Sequence, residues 1–224
     1  MIFDPTYMMI MLPALVFSMW ASFKTKSAFK KYSKVKVLSG QTGAQAAQTM
    51  LARAGINDVE IKKVPGKLSD HYNPMTKTLA LSEGVYGQPS VAAVGVACHE
   101  AGHAIQHARS YKPMWLRSIL VKPATLGSNF GIYAIIIGLI IGATGLFKIG
   151  IVLFSAAVAF QLVTLPVEFD ASNRAKKLAL EYGIVLEQER VGVNKVLNAA
   201  AMTYVAAAAA SVLQLLYWIS RVRD

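Results

Sequence analysis

Apolar residues fall into four blocks along this chain: 5–23, 125–147, 149–165 and 199–219, each free of charged side chains. A helix needs about 20 apolar residues to cross a hydrocarbon core of ~30 Å. The blocks hold 19, 23, 17 and 21 residues, so each reads as a candidate transmembrane helix. The first resembles a signal peptide only in length. Asp4 stands where a basic segment belongs, and lysines follow the block in place of a small-residue cleavage site, so it is read as a retained span. Pro13 is placed to bend it. Blocks two and three are separated by Lys148, where a tight turn is expected. Pro166 is expected to end the third span. The fourth block is dominated by alanine, which is weakly hydrophobic. It reads either as a span or as a buried helix of the polar part.

The polar stretches between the blocks carry other periodicities. Residues 41–55 (QTGAQAAQTMLARAG) suit a helix closed by Gly55. Residues 59–64 and 78–82 alternate as strands do, with a turn at Asn73 and Pro74 between them. Residues 84–89 read as a loop. Ser90 is a helix cap, and the helix after it runs to about Arg109. Residues 166–198 are polar and helix-forming. The fold class that follows is mainly α: a multipass membrane protein of three to four spans, forming one domain over residues 1–224. Its polar stretches, 24–123 and 166–198, make an α+β catalytic region with a short sheet. The strand 78–82 reads either as an ordinary internal strand or as an edge to which an extended peptide could add by main-chain hydrogen bonds.

Composition supports the membrane reading. Apolar residues are 54% of the chain and charged residues 16%, below the roughly 25% of soluble domains. Disorder is excluded by the same numbers. The net charge is +11, which suits either nucleic acid or an anionic membrane face. Position decides. Lys24, Lys26, Lys30, Lys31, Lys34 and Lys36 directly follow the first block, the juxtamembrane pattern, and no basic-aromatic or zinc-finger motif accompanies them. Nucleic acid is therefore excluded as a partner, and membrane lipid is expected. Residues 24–123 hold 15 basic residues and 166–198 hold 5, against one at Lys148. The positive-inside rule then puts both polar stretches in the cytoplasm and Lys148 outside. A fourth span would leave Arg221 and Arg223 outside, against the rule. The single cysteine, Cys98, excludes a disulfide framework and reads as a small buried filler.

Residues 99–103 read HEAGH, an HExxH motif on a predicted helix. Positions i and i+4 share a helix face, so His99 and His103 can ligate one zinc ion. Glu100 sits beside them as general base toward a water activated by the metal. A catalytic site needs a third protein ligand and one open position. The long motif with a third histidine six residues on is excluded, because Arg109 stands there. His107 drifts off the ligand face and reads as a surface or supporting histidine. Carboxylates are the better candidates, and Glu168 and Asp170 both stand where the third span leaves the membrane, on the predicted side of HExxH. Otherwise Glu168 is a helix-start carboxylate favoured by the dipole. His71, Tyr72 and Tyr204 are candidate oxyanion donors.

Three stretches carry a family resemblance: LSDHYNPMTKTLALSEGVYGQPS (68–90), SVAAVGVACHEAGHAIQHA (90–108) and PVEFDASNRA (166–175). Together with the apolar blocks, they resemble the YugP-type bacterial membrane zinc metallopeptidases over nearly the whole chain. The resemblance implies a multipass protein of the bacterial cytoplasmic membrane, one zinc per chain and neutral peptidase activity of gluzincin type. The fold around the motif is expected to be zincin-like. There is a more distant likeness to the HtpX and CAAX-protease group. In that group an E-F/Y-x-A-D pattern on a later helix supplies the ligand glutamate. Here it reads EFDAS, which maps the ligand onto Glu168. Ser172 stands where that group has aspartate, and Asp170 or Asn173 would have to take over its orienting role.

The expected function is a membrane-embedded zinc metalloendopeptidase acting on membrane or membrane-associated proteins. A zinc-containing membrane scaffold or adaptor without proteolytic activity is the alternative, and an inert membrane protein with a chance HExxH is a third. Glu100 argues against the scaffold, since a structural site has no need of a base between its histidines. Substrate identity, homo-oligomer formation and adaptor partners are not legible.

Overall fold

The computed structural model describes residues 4–222. Its elements in chain order are α1 (Pro5–Tyr32), α2 (Gly43–Arg53), β1 (Glu60–Val64), β2 (His71–Asn73), β3 (Thr78–Ser82), α3 (Glu83–Tyr86), α4 (Val91–Ala108), α5 (Lys112–Leu126), a π-helical turn (Gly127–Gly131), α6 (Ile132–Ile140), α7 (Thr144–Glu181), a 3-10 turn (Glu187–Glu189) and α8 (Arg190–Ser220). They form two compact units. One comprises the chain up to Ala21, Lys112–Pro166 and the chain from Thr203; the other comprises Ser22–Tyr111 and Val167–Met202.

The first unit holds apolar helix. Among the described residues, Pro5–Tyr32, Lys112–Ile140, Thr144–Glu181 and Glu187–Ser220 are long and apolar enough to cross a membrane. Its core gathers Ile135, Phe147, Phe154, Val158, Tyr217 and Trp218. Glycine lets backbones meet there: a methyl group on Gly127 would lie 2.1 Å from the Leu153 carbonyl, and one on Gly150 2.6 Å from the Ile135 nitrogen. Such contacts replace the hydrophobic drive that lipid does not supply between helices. Asp4 Oδ2 accepts from the Tyr217 hydroxyl and pairs with Arg221. Arg221 therefore has an acidic partner in Asp4. Arg223 lies outside the described residues.

Two boundaries differ from expectation. The turn between the second and third apolar blocks is not at Lys148 but at Gly142, whose φ of +70° breaks the helix. Lys148 lies inside α7, where a long flexible side chain is compatible with helix. Pro166 does not end α7 either. The helix continues through it to Glu181, without a backbone donor at Pro166. In the same way α1 continues unbroken through Pro13 and reaches Tyr32.

The second unit holds the polar sequence. Thr42 and Gln45 form a reciprocal capping box that starts α2, and Gly55 follows its end at φ +75°. The Ser90 side chain accepts from Ala93 N and starts α4. Residues 84–89 are not all loop, because the one-turn helix α3 occupies their start. The sheet has the order β1-β3-β2, with β1 parallel and β2 antiparallel to β3. β3 is thus the middle strand. Of the two readings of residues 78–82, the internal strand is the one found: β1 pairs along the whole of β3, and β2 pairs with Thr78–Ala80 on its other side. Its apolar side chains Leu79 and Leu81 are buried with Ala46, Met50 and Leu51 of α2 and Val94, Ala97 and Ala101 of α4. This core fixes α4, the helix with the histidines.

Candidate metal centre

Small residues let α4 and α7 approach closely. On α7, Glu168, Ala171, Ser172, Ala175 and Ala179 recur at helical spacing and are all buried. On α4, Gly102 lies against this stripe: a methyl group added there would sit 2.7 Å from the Ala171 carbonyl oxygen. That contact brings a glutamate 65 residues later in the chain than His103 onto the histidine face. Glu168 lies mid-helix, so the reading of a helix-start carboxylate does not apply.

Three ligand atoms converge. Glu168 Oε2 stands 3.2 Å from His99 Nε2 and 3.5 Å from His103 Nε2. The imidazole centroids are 4.7 Å apart with planes at 80°. Two tetrahedral zinc bonds of ~2.0–2.1 Å put their ligand atoms about 3.3 Å apart, so the spacing suits a single ion. Donor chemistry suits it as well: two imidazole nitrogens and one carboxylate is a zinc set that leaves a fourth position open. Glu168 is only 2% exposed and Glu100 8%, and a carboxylate held that far from water needs a cationic partner. Burial works against a charged His103, yet the hydrogen bond to Glu168 and the charge of Glu100 outweigh it, so His103 holds a proton more tightly than usual. The residues thus attract positive charge to the point where a metal would sit.

Each imidazole is held from behind. His99 Nδ1 is 3.1 Å from Ser172 Oγ, so serine occupies the orienting place. His103 Nδ1 is 2.9 Å from Gln106 Oε1. Gln106 donates to the Val167 carbonyl and to Asp170 Oδ2, and Arg174 Nε donates to the same Asp170 oxygen. Asp170 therefore reaches a histidine through an intermediary. Gln106 is a residue that the motif reading passed over. Its signal in the sequence was an amide three positions after His103 on an otherwise apolar helix face.

The remaining candidates are not among the three converging ligand residues. His71 is on β2 with Nδ1 2.9 Å from the Ser69 carbonyl. The Tyr72 hydroxyl meets His107 Nδ1 at 2.9 Å, where α4 faces β2, beside a small cavity lined by Asp58, Lys77 and Ala104. Tyr204 is on α8 in the first unit. Cys98 is fully buried, and burial pushes its thiol up to about 12, so it is an inert filler.

Comparison with known proteins agrees with this chemistry. Residues 7–223 match the family described as "Putative neutral zinc metallopeptidase". The chain is 46% identical over 213 residues to a Bacillus subtilis (strain 168) protein named "Putative membrane protease YugP", covering 95% of each. No solved structure matches it.

Proposed function

The chain belongs to the zinc metallopeptidase family that this match defines, and from that premise we propose that it is a membrane-embedded zinc endopeptidase with Glu100 as its general base. The observation that carries the reading is the convergence of His99 Nε2, His103 Nε2 and Glu168 Oε2 at zinc-ligand spacing, one residue from a buried carboxylate. These three side chains would hold one zinc per chain. When bound, zinc supplies a Lewis acid for the peptide carbonyl and acidifies an attacking water.

The side chains do the rest. Glu100 is buried on the same helix and near enough for its charge to act on His103, which puts its carboxylate beside the ligand set. There it accepts the proton of the attacking water and delivers it to the leaving amine nitrogen. Glu168 contributes charge as well as a ligand atom, and its burial keeps competing water away. Ser172 and Gln106 contact the Nδ1 atoms of the two imidazoles from behind, so that each ring turns its Nε2 inward. Substrates are membrane or membrane-associated proteins, since the polar stretch that carries HExxH is tied to apolar helices within one chain.

The detergent-solubilised full chain should carry about one zinc and cleave an unstructured polypeptide. A chelator should stop cleavage and added zinc restore it. Full zinc occupancy in a His99→Ala/His103→Ala double variant would end the reading.

The active face is proposed to be cytoplasmic, from the distribution of basic residues. A cysteine replacing Ala143, beside the turn at Gly142, should then react with an impermeant maleimide on intact cells, and one replacing Lys62 should not. Cys98 stays silent in both because it is buried and its thiol is protonated. The opposite labelling pattern would put the active face outside.

A further inference from the structure

We propose that Gln106 is a positioning residue that locks His103 in the tautomer with its proton on Nδ1, leaving the Nε2 lone pair facing Glu168. The proposal rests on the zinc reading above and names a residue outside the HExxH motif that the site depends on.

The Gln106 amide has one fixed orientation. Its Nε2 stands 2.7 Å from the Val167 carbonyl and 2.8 Å from Asp170 Oδ2. A carbonyl and a carboxylate accept and do not donate, so only the NH₂ end of the amide fits between them. Arg174 Nε donates to the same Asp170 oxygen, and its guanidinium lies 5.8 Å from the centre of the Tyr111 ring. Asp170 Oδ2 therefore accepts from both side chains. Turning the amide over would set an oxygen against two acceptors in a site where Gln106 has no exposed surface, the costly case of a buried polar group without a partner.

With the NH₂ end fixed, Oε1 faces His103 Nδ1 at 2.9 Å. An amide oxygen has no proton to give, so Nδ1 must carry one. The proton on Nε2 is the one shared with Glu168 Oε2, 3.5 Å away, so when His103 becomes neutral its single N–H stays on Nδ1 and Nε2 is left bare. His99 lacks this constraint. Its Nδ1 meets the Ser172 hydroxyl at 3.1 Å, which can donate or accept. The two ligand histidines are thus held by different logic. His103 is preset by the chain Arg174–Asp170–Gln106, and His99 adapts.

Selective 15N-histidine labelling of the metal-free full chain separates the tautomers. The spectrum is followed upward in pH until the His103 shifts stop changing, so that the neutral imidazole is observed. Wild-type His103 should show a protonated Nδ1. Gln106→Met, similar in shape but without hydrogen bonds, should shift His103 toward the Nε2–H form, which can donate to Glu168. Zinc affinity, read by competition with a chromophoric chelator, should fall ~10–100-fold in that variant. The proposal is overturned if wild-type His103 carries its proton on Nε2, or if folded Gln106→Met keeps wild-type zinc affinity. If Gln106→Met does not fold, the wild-type spectrum alone decides. If wild type binds no zinc, the endopeptidase reading falls, and the tautomer still reports on Gln106.

Discussion

Glu100→Gln is expected to keep its zinc and to lose peptide hydrolysis by ~10²–10⁴-fold, the usual contribution of a positioned acid–base group. Zinc should stay because Glu100 is not among the three converging ligand atoms. Activity should go because an amide cannot take a proton from the attacking water. Glu168→Gln should give a different phenotype, losing zinc and hydrolysis together. A neutral amide oxygen is a poor ligand for this ion, and two histidines alone hold it weakly. Measured side by side, zinc content and cleavage rate distinguish a base from a ligand. Wild-type turnover in Glu100→Gln would remove the base from the mechanism. Zinc loss in Glu100→Gln would instead make Glu100 part of the site's framework.

The parts of this site that were legible in the sequence are those set by local geometry. His99 and His103 are four residues apart on a segment whose apolar pattern and Ser90 cap already require a helix, so their shared face follows from helical pitch. The apolar blocks follow from composition in the same way. Glu168 was a different case. Nothing local ties it to His103, and it was reached through the EFDAS resemblance and the side of the membrane on which it was expected. The contact that seats it is Gly102 against Ala171, a long-range fit between two small residues of the kind that spacing rules do not register.

The misplaced boundaries have a common cause. Block 125–147 contains Gly142 and Gly145, and neither composition nor hydropathy distinguishes the one with positive φ. A single lysine therefore looked like the break. Pro166 looked like a stop because proline usually is one. Yet the helix that runs on past it is what carries Glu168, Ser172 and Asp170 into the site. Strand order is non-local by nature: alternation identified β3 but not its place between β1 and β2. Gln106 was passed over because attention went to groups that ligate or titrate. A buried amide does neither, and its importance lies in which of its two ends it is forced to present.

The fit at Gly102 leads to the second large expectation, that Gly102→Ala disables the metal centre while costing the fold little. Alanine is the better helix former, worth about 1 kcal/mol in a helix interior. Against that, its methyl group would sit 2.7 Å from the Ala171 carbonyl oxygen and 3.3 Å from the Ala171 Cα. These are backbone atoms, so no side-chain rotation relieves the overlap, and α7 must move away from α4 at a cost of about 1–3 kcal/mol. The net change in stability is therefore within about 2 kcal/mol, from the difference of those two ranges. The site tolerates far less. Glu168 is three residues before Ala171 and Ser172 is the next residue, so both are displaced with it, and a ligand set must hold its geometry to about 0.5 Å. Zinc affinity should fall at least ~10-fold, as for loss of a supporting residue, and hydrolysis with it. Gly95→Ala is the control, since the nearest atom to its methyl group would be Val193 Cγ1 at 3.6 Å, an ordinary contact. Thermal unfolding and zinc competition on both variants decide the matter. If Gly102→Ala binds zinc as tightly as Gly95→Ala does, α7 does not need that close approach to deliver Glu168, and the packing account of the site is wrong.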